Sequence, residues 1–124
     1  MAGESLRHIV EKIVRLGKGK VRFVFLFGSR AEGVSRNCSD YDIAVYYDAQ
    51  EDERYLFLKK VLSIVDLSFD VHTFQDMPLV LKSKVLRDGK ILYCDDYEFL
   101  FRIANNVRRE YEDFKHRLRL IIGE

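Results

Sequence analysis

The stretch FLFGSRAEGVSRNCSDYDIAVYYD, residues 25–48, decides how this chain is interpreted. It runs from an apolar segment into a Gly-Ser turn, crosses a polar loop, and places Asp40 and Asp42 at the head of a second apolar segment. A carboxylate in a strand that is about to be buried is costly unless it is paired or binds a metal ion. The stretch therefore predicts a metal site where two strands meet.

The two aspartates are spaced so that they can act together. Successive side chains of a strand point to opposite faces, so Asp40 and Asp42 share a face and Tyr41 takes the other. Two carboxylates about 7 Å apart along one edge can share a pair of divalent ions. Asp70, in the alternating segment LSFDVHTF, joins them if its strand lies beside that of Asp42. Three oxygen ligands favour Mg²⁺ or Mn²⁺ over Zn²⁺. His72 shares the face of Asp70 and could orient it or contact a ligand.

The Gly-Ser turn has the composition of an anion site. Gly28 directly follows the first apolar segment, and a glycine lets the backbone approach an anion closely. Consecutive N–H groups at such a turn form a concavity that binds phosphate, to which Ser29 adds a hydroxyl donor and Arg30 a cation. Neither GxxxxGK[ST] nor GxGxxG is present, so the turn belongs to neither of those phosphate-binding classes.

The remaining pattern predicts an α/β or α+β domain with a mixed sheet flanked by helices. Apolar runs and alternation predict strands at 20–28, 41–47 and 67–74, and a short strand or extended segment at 90–94. Helical periodicity predicts helices at 5–16, 48–66, 78–87 and 96–122. Ser5 is the expected N-cap of the first helix and Gly17 its end, and Asp48 with Glu51 is spaced as a capping box for the second.

Length and composition limit the classes of function. With 124 residues the chain is expected to form one domain, 1–124. A net charge of +1 with mixed signs gives no basic face for long nucleic acid. No segment is apolar enough to span a membrane or to act as a signal peptide, which favours a cytoplasmic protein. Cys38 and Cys94 are expected to be free thiols, with a single disulfide as the alternative.

The order of these features resembles a known family. Ten residues separate Ser29 from Asp40, which gives Gly-Ser, ten residues, Asp-x-Asp and then a later strand aspartate. Over about residues 5–95 this resembles the nucleotidyltransferase fold of the polymerase-beta superfamily. More narrowly, it is similar to the minimal nucleotidyltransferases that serve as antitoxins in pairs with HEPN toxins.

The resemblance implies a role for each motif residue. Gly28, Ser29 and Arg30 would bind the terminal phosphates of a nucleotide, and Asp40 and Asp42 would bind two Mg²⁺ ions.

The same resemblance implies that Asp70 shares one of these ions and helps to deprotonate the attacking hydroxyl. Many antitoxin relatives have Arg where this chain has Glu32, so a phosphate contact from position 32 is not expected, whereas Arg36 remains a candidate cation.

The implied activity is Mg²⁺-dependent transfer of AMP from ATP to an acceptor hydroxyl, such as a tyrosine of a partner HEPN-type toxin. Two alternatives stay open: a non-catalytic antitoxin that neutralises its partner by binding it, and a transferase that acts on a small-molecule hydroxyl.

The last helix carries a separate signal. A stripe of apolar residues recurs at steps of three and four: Leu100, Ile103, Val107, Tyr111, Phe114, Leu118 and Ile121. About 26 helical residues span roughly 39 Å, more than a domain of this size covers. The pattern favours a helix that extends beyond its own domain to a partner or to a second copy of the chain. The alternative is a helix packed entirely on its own core.

Overall fold

The computed structural model describes residues 5–28, 31 and 40–123. Within these residues, helices and strands follow one another as α1 Leu6–Leu16, β1 Val21–Phe27, β2 Tyr41–Tyr47, α2 Glu51–Ile64, β3 Phe69–Thr73, α3 Leu79–Asp88, β4 Lys90–Cys94 and α4 Tyr97–Ile122. A short 3-10 turn, Phe74–Asp76, follows β3 and was not predicted. All the predicted helices and strands are present, and the predicted mixed sheet with a long last helix is confirmed.

The strands form one sheet in the order β3-β2-β1-β4. β1 is antiparallel to both β2 and β4, whereas β2 and β3 are parallel. The end of β1 and the starts of β2 and β3 therefore meet at one end of the sheet. The start of β1 and the ends of β2 and β4 meet at the opposite end.

The two faces of the sheet are covered by different helices. Tyr41, Ile43, Val45 and Tyr47 of β2 point to the face that packs against α1 and α2. The buried core on this face also includes Ile9, Ile13, Val24, Phe57, Val61 and Val71. Aromatic rings stack at both ends of this face: Tyr41 on Phe69, and Tyr47 on Phe57.

The opposite face packs against the 3-10 turn, α3 and α4. Its buried core consists of Phe23, Phe25, Ala44, Phe74, Met77, Val85, Leu100 and Val107. The first half of α4 is therefore part of the core. The second half is not, because Phe114, Leu118 and Ile121 are 40%, 43% and 80% exposed.

Local capping agrees with the sequence at α1 but not at α2. The Ser5 hydroxyl oxygen accepts a hydrogen bond from the His8 N–H at 3.2 Å, as predicted. The capping box predicted for α2 is wrong: the helix begins after Gln50, and no side chain caps it. Asp48 instead accepts a hydrogen bond from Arg22, and this ion pair removes it from the helix start.

Two further predictions concern the membrane and the thiols. None of the described helices is both long enough and apolar enough to cross a membrane. Cys94 is a free cysteine, half-buried at the end of β4. Cys38 lies outside the described residues.

Candidate metal centre at the acidic end of the sheet

The register of β2 and β3 places two carboxylates side by side. Asp42 and Asp70 are direct partners across the parallel pair. The strand of Asp70 therefore lies beside that of Asp42, which was the condition for the predicted cluster of carboxylates. One ligand atom from each of Asp42, Asp70 and His72 lies within 4.8 Å of the others. We call the end of the sheet that carries Gly28, Asp40, Asp42 and Asp70 the acidic end.

Strand alternation explains why these side chains converge. Ile43 and Val71, which follow Asp42 and Asp70, point into the core on the other face and are 0% and 3% exposed. Burial of these two residues fixes the register, because a slip of one position would exchange them with the carboxylates. The core thus forces both carboxylates onto the same face at the same depth.

Within the residues that the structure describes, the carboxylates of Asp42 and Asp70 are not paired with Lys or Arg. The pKa of Asp42 is raised, first by its partial burial and then by the neighbouring charges of Asp70 and Asp40, while His72 acts in the opposite direction. Two neighbouring carboxylates without a cation are an arrangement that a bound divalent ion would stabilise.

At the end of β1, the backbone of Gly28 lies close to the carboxylate of Asp42. Its φ of +79° is in the region that glycine adopts freely. A Cβ at this position would run into the carboxylate of Asp42, so no larger residue fits without displacing that group. The structure therefore brings Gly28, predicted as a phosphate contact, next to Asp42. The predictions for Ser29, Arg30, Glu32 and Arg36 fall outside the described residues.

Asp40 is placed differently from its predicted partner. It is exposed, immediately precedes β2, and is not one of the three residues whose ligand atoms converge. Its charge is nevertheless close enough to raise the pKa of Asp42. Its role as a ligand stays a prediction.

His72 was not part of the predicted ligand set. Its Nε2 lies 3.0 Å from Oδ2 of Asp70, and its ring centroid lies 6.0 Å from that of Phe27. The signal for this contact was the spacing of two residues along one strand, which places His72 and Asp70 on one face.

Comparison with known proteins identifies the family. The family model described as "Polymerase beta, Nucleotidyltransferase" matches residues 10–98. The chain belongs to this family. A protein of Methanocaldococcus jannaschii assigned as a protein adenylyltransferase is 26% identical over 100 residues, which are 81% of this chain and 77% of that one. The protein adenylyltransferase MntA of Shewanella oneidensis is 31% identical over 84 residues, which are 66% of this chain and 60% of MntA.

Solved structures confirm the predicted nucleotidyltransferase fold. A chain from a crystal structure of a toxin–antitoxin with AMP-PNP superimposes with a TM-score of 0.74 at 24% identity, covering 96% of this chain and 97% of that chain. A chain from a structure of the tri-AMPylated Shewanella oneidensis HEPN toxin with the MNT antitoxin gives 0.68 at 23% identity, covering 94% and 92%.

A divalent ion fits the side chains at the acidic end. Membership of the nucleotidyltransferase family implies a nucleotide substrate and a divalent metal ion. Two carboxylates supply oxygen ligands of the kind that Mg²⁺ and Mn²⁺ prefer, and no thiol lies in the group of three. Partial burial and the neighbouring charge of Asp70 raise the pKa of Asp42, and added positive charge would oppose this effect. This observation supports a cation at the site.

Proposed function

We propose that this protein is a Mg²⁺-dependent adenylyltransferase that moves AMP from ATP to a hydroxyl group of a HEPN-type toxin. One observation carries the proposal: Asp42 and Asp70 are register partners next to Gly28. They lie at the acidic end, in a chain of the nucleotidyltransferase family.

The relatives support the nature of the transferred group and of the acceptor. The names of both relatives described above include the term protein adenylyltransferase. The similar solved structures are toxin–antitoxin complexes, one of which contains an AMPylated HEPN toxin. By analogy, the acceptor is a tyrosine of such a toxin, and the chain acts as its antitoxin. A cytoplasmic location and a single domain over 1–124 belong to the same proposal.

The proposed ligands of two Mg²⁺ ions are Asp40, Asp42 and Asp70. When bound, the ions would neutralise the charge of the triphosphate and of the departing pyrophosphate. Their positive charge would also stabilise the ionised form of Asp42, whose pKa is raised by partial burial and by the charge of Asp70.

The triphosphate would lie along the Gly28–Arg30 turn. Gly28 has no side chain, so its backbone would be accessible to phosphate oxygens. Ser29 and Arg30 would add a hydroxyl donor and a cation to the same phosphates. Positioning and charge neutralisation would account for most of the catalysis, as in other phosphoryl transfers.

The transfer itself is a single displacement. The acceptor oxygen forms a bond to the α-phosphorus, and the bond from that phosphorus to the bridging oxygen of the β-phosphate breaks. Pyrophosphate leaves with the electron pair, and the proton of the acceptor hydroxyl passes to the carboxylate of Asp70. Asp70 is suited to this role because its side chain is 51% exposed and accessible to an incoming hydroxyl.

The direct test uses ATP labelled at the α-phosphate. The purified protein is incubated with this ATP, Mg²⁺ and a candidate toxin, the product of the neighbouring gene. We expect label on the toxin with the unaltered protein and none with the double variant Asp40→Asn/Asp42→Asn. The matched control is Glu51→Gln/Asp52→Asn, which removes two exposed carboxylates from the first turn of α2 and is expected to retain transfer.

Two results would reject the proposal. One is label on the toxin at an unchanged rate with the double variant. The other is absence of label with the unaltered protein as well as with the variants, although the protein and the toxin still elute together.

The second of these results would favour a non-catalytic antitoxin, for which the structure offers a surface. The second half of α4 exposes Phe114, Leu118 and Ile121 along one stripe. The double variant Leu118→Glu/Ile121→Glu is expected not to co-elute with the toxin if this stripe forms the contact. Truncation after Asp95 would not be a clean test, because it would also remove the core residue Leu100.

A further inference from the structure

The contact between His72 and Asp70 has no part in the proposed transfer as described above. His72 Nε2 and Asp70 Oδ2 are 3.0 Å apart, on side chains that are 43% and 51% exposed. A carboxylate that is ionised can only accept hydrogen bonds, so this contact is a hydrogen bond when the imidazole carries a proton on Nε2. At such exposure the hydrogen bond adds little to stability, which leaves orientation as its main effect.

Asp70 needs such an orientation. Its register partner is Asp42, so each carboxylate faces another negative charge across the strand pair. Repulsion favours a rotamer of Asp70 that points away from Asp42, and the exposure of Asp70 leaves room for that rotation. His72 is the hydrogen-bond donor that holds the Asp70 side chain among the described residues.

The ring of His72 is itself held in place. Its register partner on β2 is Ala44, whose small side chain is fully buried and leaves space for an imidazole on this face. Phe27 flanks the ring with a centroid distance of 6.0 Å and an interplanar angle of 55°. The neighbours of His72 therefore limit where Nε2 can point.

The register also separates His72 from the ligands by depth. Asp42 and Asp70 form one layer of the sheet, and His72 with Ala44 forms the layer two residues further from the end. Two residues of strand amount to about 7 Å along the chain. From that layer, a ring nitrogen of His72 comes within 4.8 Å of a carboxylate oxygen of both Asp42 and Asp70.

We propose that His72 is a positioning residue, which holds Asp70 toward Asp42 so that the two carboxylates can bind one divalent ion together. The inference deepens the proposed function and rests on its metal site, but not on the identity of the acceptor. Outer partners of this kind typically change metal affinity or activity by about 10–100-fold when they are removed.

The test measures Mn²⁺ binding by electron paramagnetic resonance, without nucleotide or toxin, for the variants His72→Gln, His72→Asn and His72→Leu. Gln can place an N–H donor near the position of Nε2, whereas Asn is too short and Leu has no donor. We expect His72→Leu and His72→Asn to weaken Mn²⁺ binding about 10-fold or more. We expect His72→Gln to recover most of it. The matched control is His116→Leu, which replaces an exposed histidine of α4 and should change nothing.

A second readout is the labelled-ATP reaction. A positioning role predicts a lower kcat in His72→Leu with little change in KM for ATP, and recovery of kcat in His72→Gln. Thermal unfolding of the metal-free variants checks that all of them fold, and the two amide variants keep a polar side chain at this half-exposed position.

Each alternative outcome has a distinct meaning. Unchanged Mn²⁺ binding in His72→Leu would overturn the inference. The inference would also be overturned if His72→Gln and His72→Leu lost Mn²⁺ affinity equally and both preferred Mn²⁺ over Mg²⁺ less strongly. That result would make the imidazole a direct ligand of the ion. The expected ranking together with no label on the toxin would support the inference and reject the proposed acceptor. No Mn²⁺ binding by the unaltered protein would overturn both proposals.

Discussion

At the acidic end of the sheet, Asp42 and Asp70 lie side by side and neither forms an ion pair with Lys or Arg among the described residues. At the opposite end, Arg22 donates hydrogen bonds to Asp48 at 2.9 Å and to Asp95 at 3.1 Å, and it lies 3.8 Å from Asp96. We call this second group, Arg22 with Asp48, Asp95 and Asp96, the paired end.

The paired end joins elements of the fold that lie far apart in sequence. Arg22 is the second residue of β1, Asp48 follows β2, and Asp96 is the N-cap of α4. The guanidinium also lies 3.9 Å from the ring centroid of Phe99 in the first turn of α4. The carboxylates at this end therefore have a cationic partner in Arg22, whereas Asp42 and Asp70 have none from Lys or Arg among the described residues. A set of carboxylates that lacks its cation within the described chain is the better candidate for a functional site.

The largest expected effect comes from Asp42→Asn. It should lower AMP transfer by more than the roughly 10–100-fold typical of outer partners of a metal site, because it removes a proposed ligand. In metal-free buffer the free energy of unfolding should stay the same or increase, since the repulsion between Asp42 and Asp70 disappears. Labelled-ATP assays and denaturant unfolding measure the two quantities. Loss of stability in the metal-free variant would contradict the view that this end is uncompensated.

The variant Gly28→Ala tests how closely the backbone approaches the acidic end. The control is Gly19→Ala, because Gly19 has a similar φ of +85° but nothing within 4 Å of an added Cβ. Both variants should lose about 1–2 kcal/mol of unfolding free energy from the left-handed backbone. Only Gly28→Ala should also weaken Mn²⁺ binding, since its methyl group displaces the Asp42 carboxylate. Equal Mn²⁺ binding by the two variants would show that the approach to Asp42 has no functional consequence.

The variant Arg22→Met removes the cation of the paired end and keeps an apolar side chain over Phe99. We expect a loss of about 1–2 kcal/mol in unfolding free energy, because charge-assisted hydrogen bonds at a partly buried site are lost and three carboxylates remain together. The control Arg117→Met breaks an exposed pair with Asp113 and should cost about 0.3–0.5 kcal/mol. Mn²⁺ binding at the acidic end should not change in either variant. If Arg22→Met costs no more than Arg117→Met, the paired end is not a structural element.

Periodic patterns in the sequence were enough to predict the helices and strands, because each buried face imposes its own period. The pattern from Gly28 to Asp42 was also enough to predict the family. That Asp42 and Asp70 would be neighbours could only be stated as a condition, since the order of the strands is set by tertiary packing.

Two features could not be predicted from local sequence, and both arise from contacts between distant segments. Asp48 has the spacing of a helix cap, but Arg22, which is 26 residues earlier in the chain, provides a stronger partner for its carboxylate. The approach of the His72 ring to Phe27, two strands away in the sheet, likewise depends on the order of the strands. A single sequence shows which residues could interact locally, but not which distant residue competes for them.

The smallest expected effect is a difference in pH dependence between Asp42 and Asp76. Asp76, in the 3-10 turn after β3, has a lowered pKa, chiefly because Arg54 donates hydrogen bonds to it. Its contribution to stability is present above the ordinary aspartate pKa of 3.8 and is lost as the pH falls through its folded value. The pKa of Asp42 is raised from 3.8, so the folded state favours its protonated form. The stability of the protein therefore declines as the pH rises from about 3.8 toward the raised pKa of Asp42.

The two aspartates therefore predict opposite trends in metal-free buffer. Relative to the unaltered protein, Asp42→Asn should gain stability as the pH rises above about 3.8 and level off once Asp42 would be ionised. Asp76→Asn should instead be most destabilised at neutral pH and approach the unaltered protein only in acid, where Asp76 becomes protonated. Denaturant unfolding of the three proteins between pH 3 and pH 7 gives the two differences. Saturating Mn²⁺ should abolish the gain in stability of Asp42→Asn, because the bound ion stabilises the ionised carboxylate that the variant lacks. If the stabilities of the two variants instead change with pH in the same direction, Asp42 and Asp76 do not differ in their need for a cation.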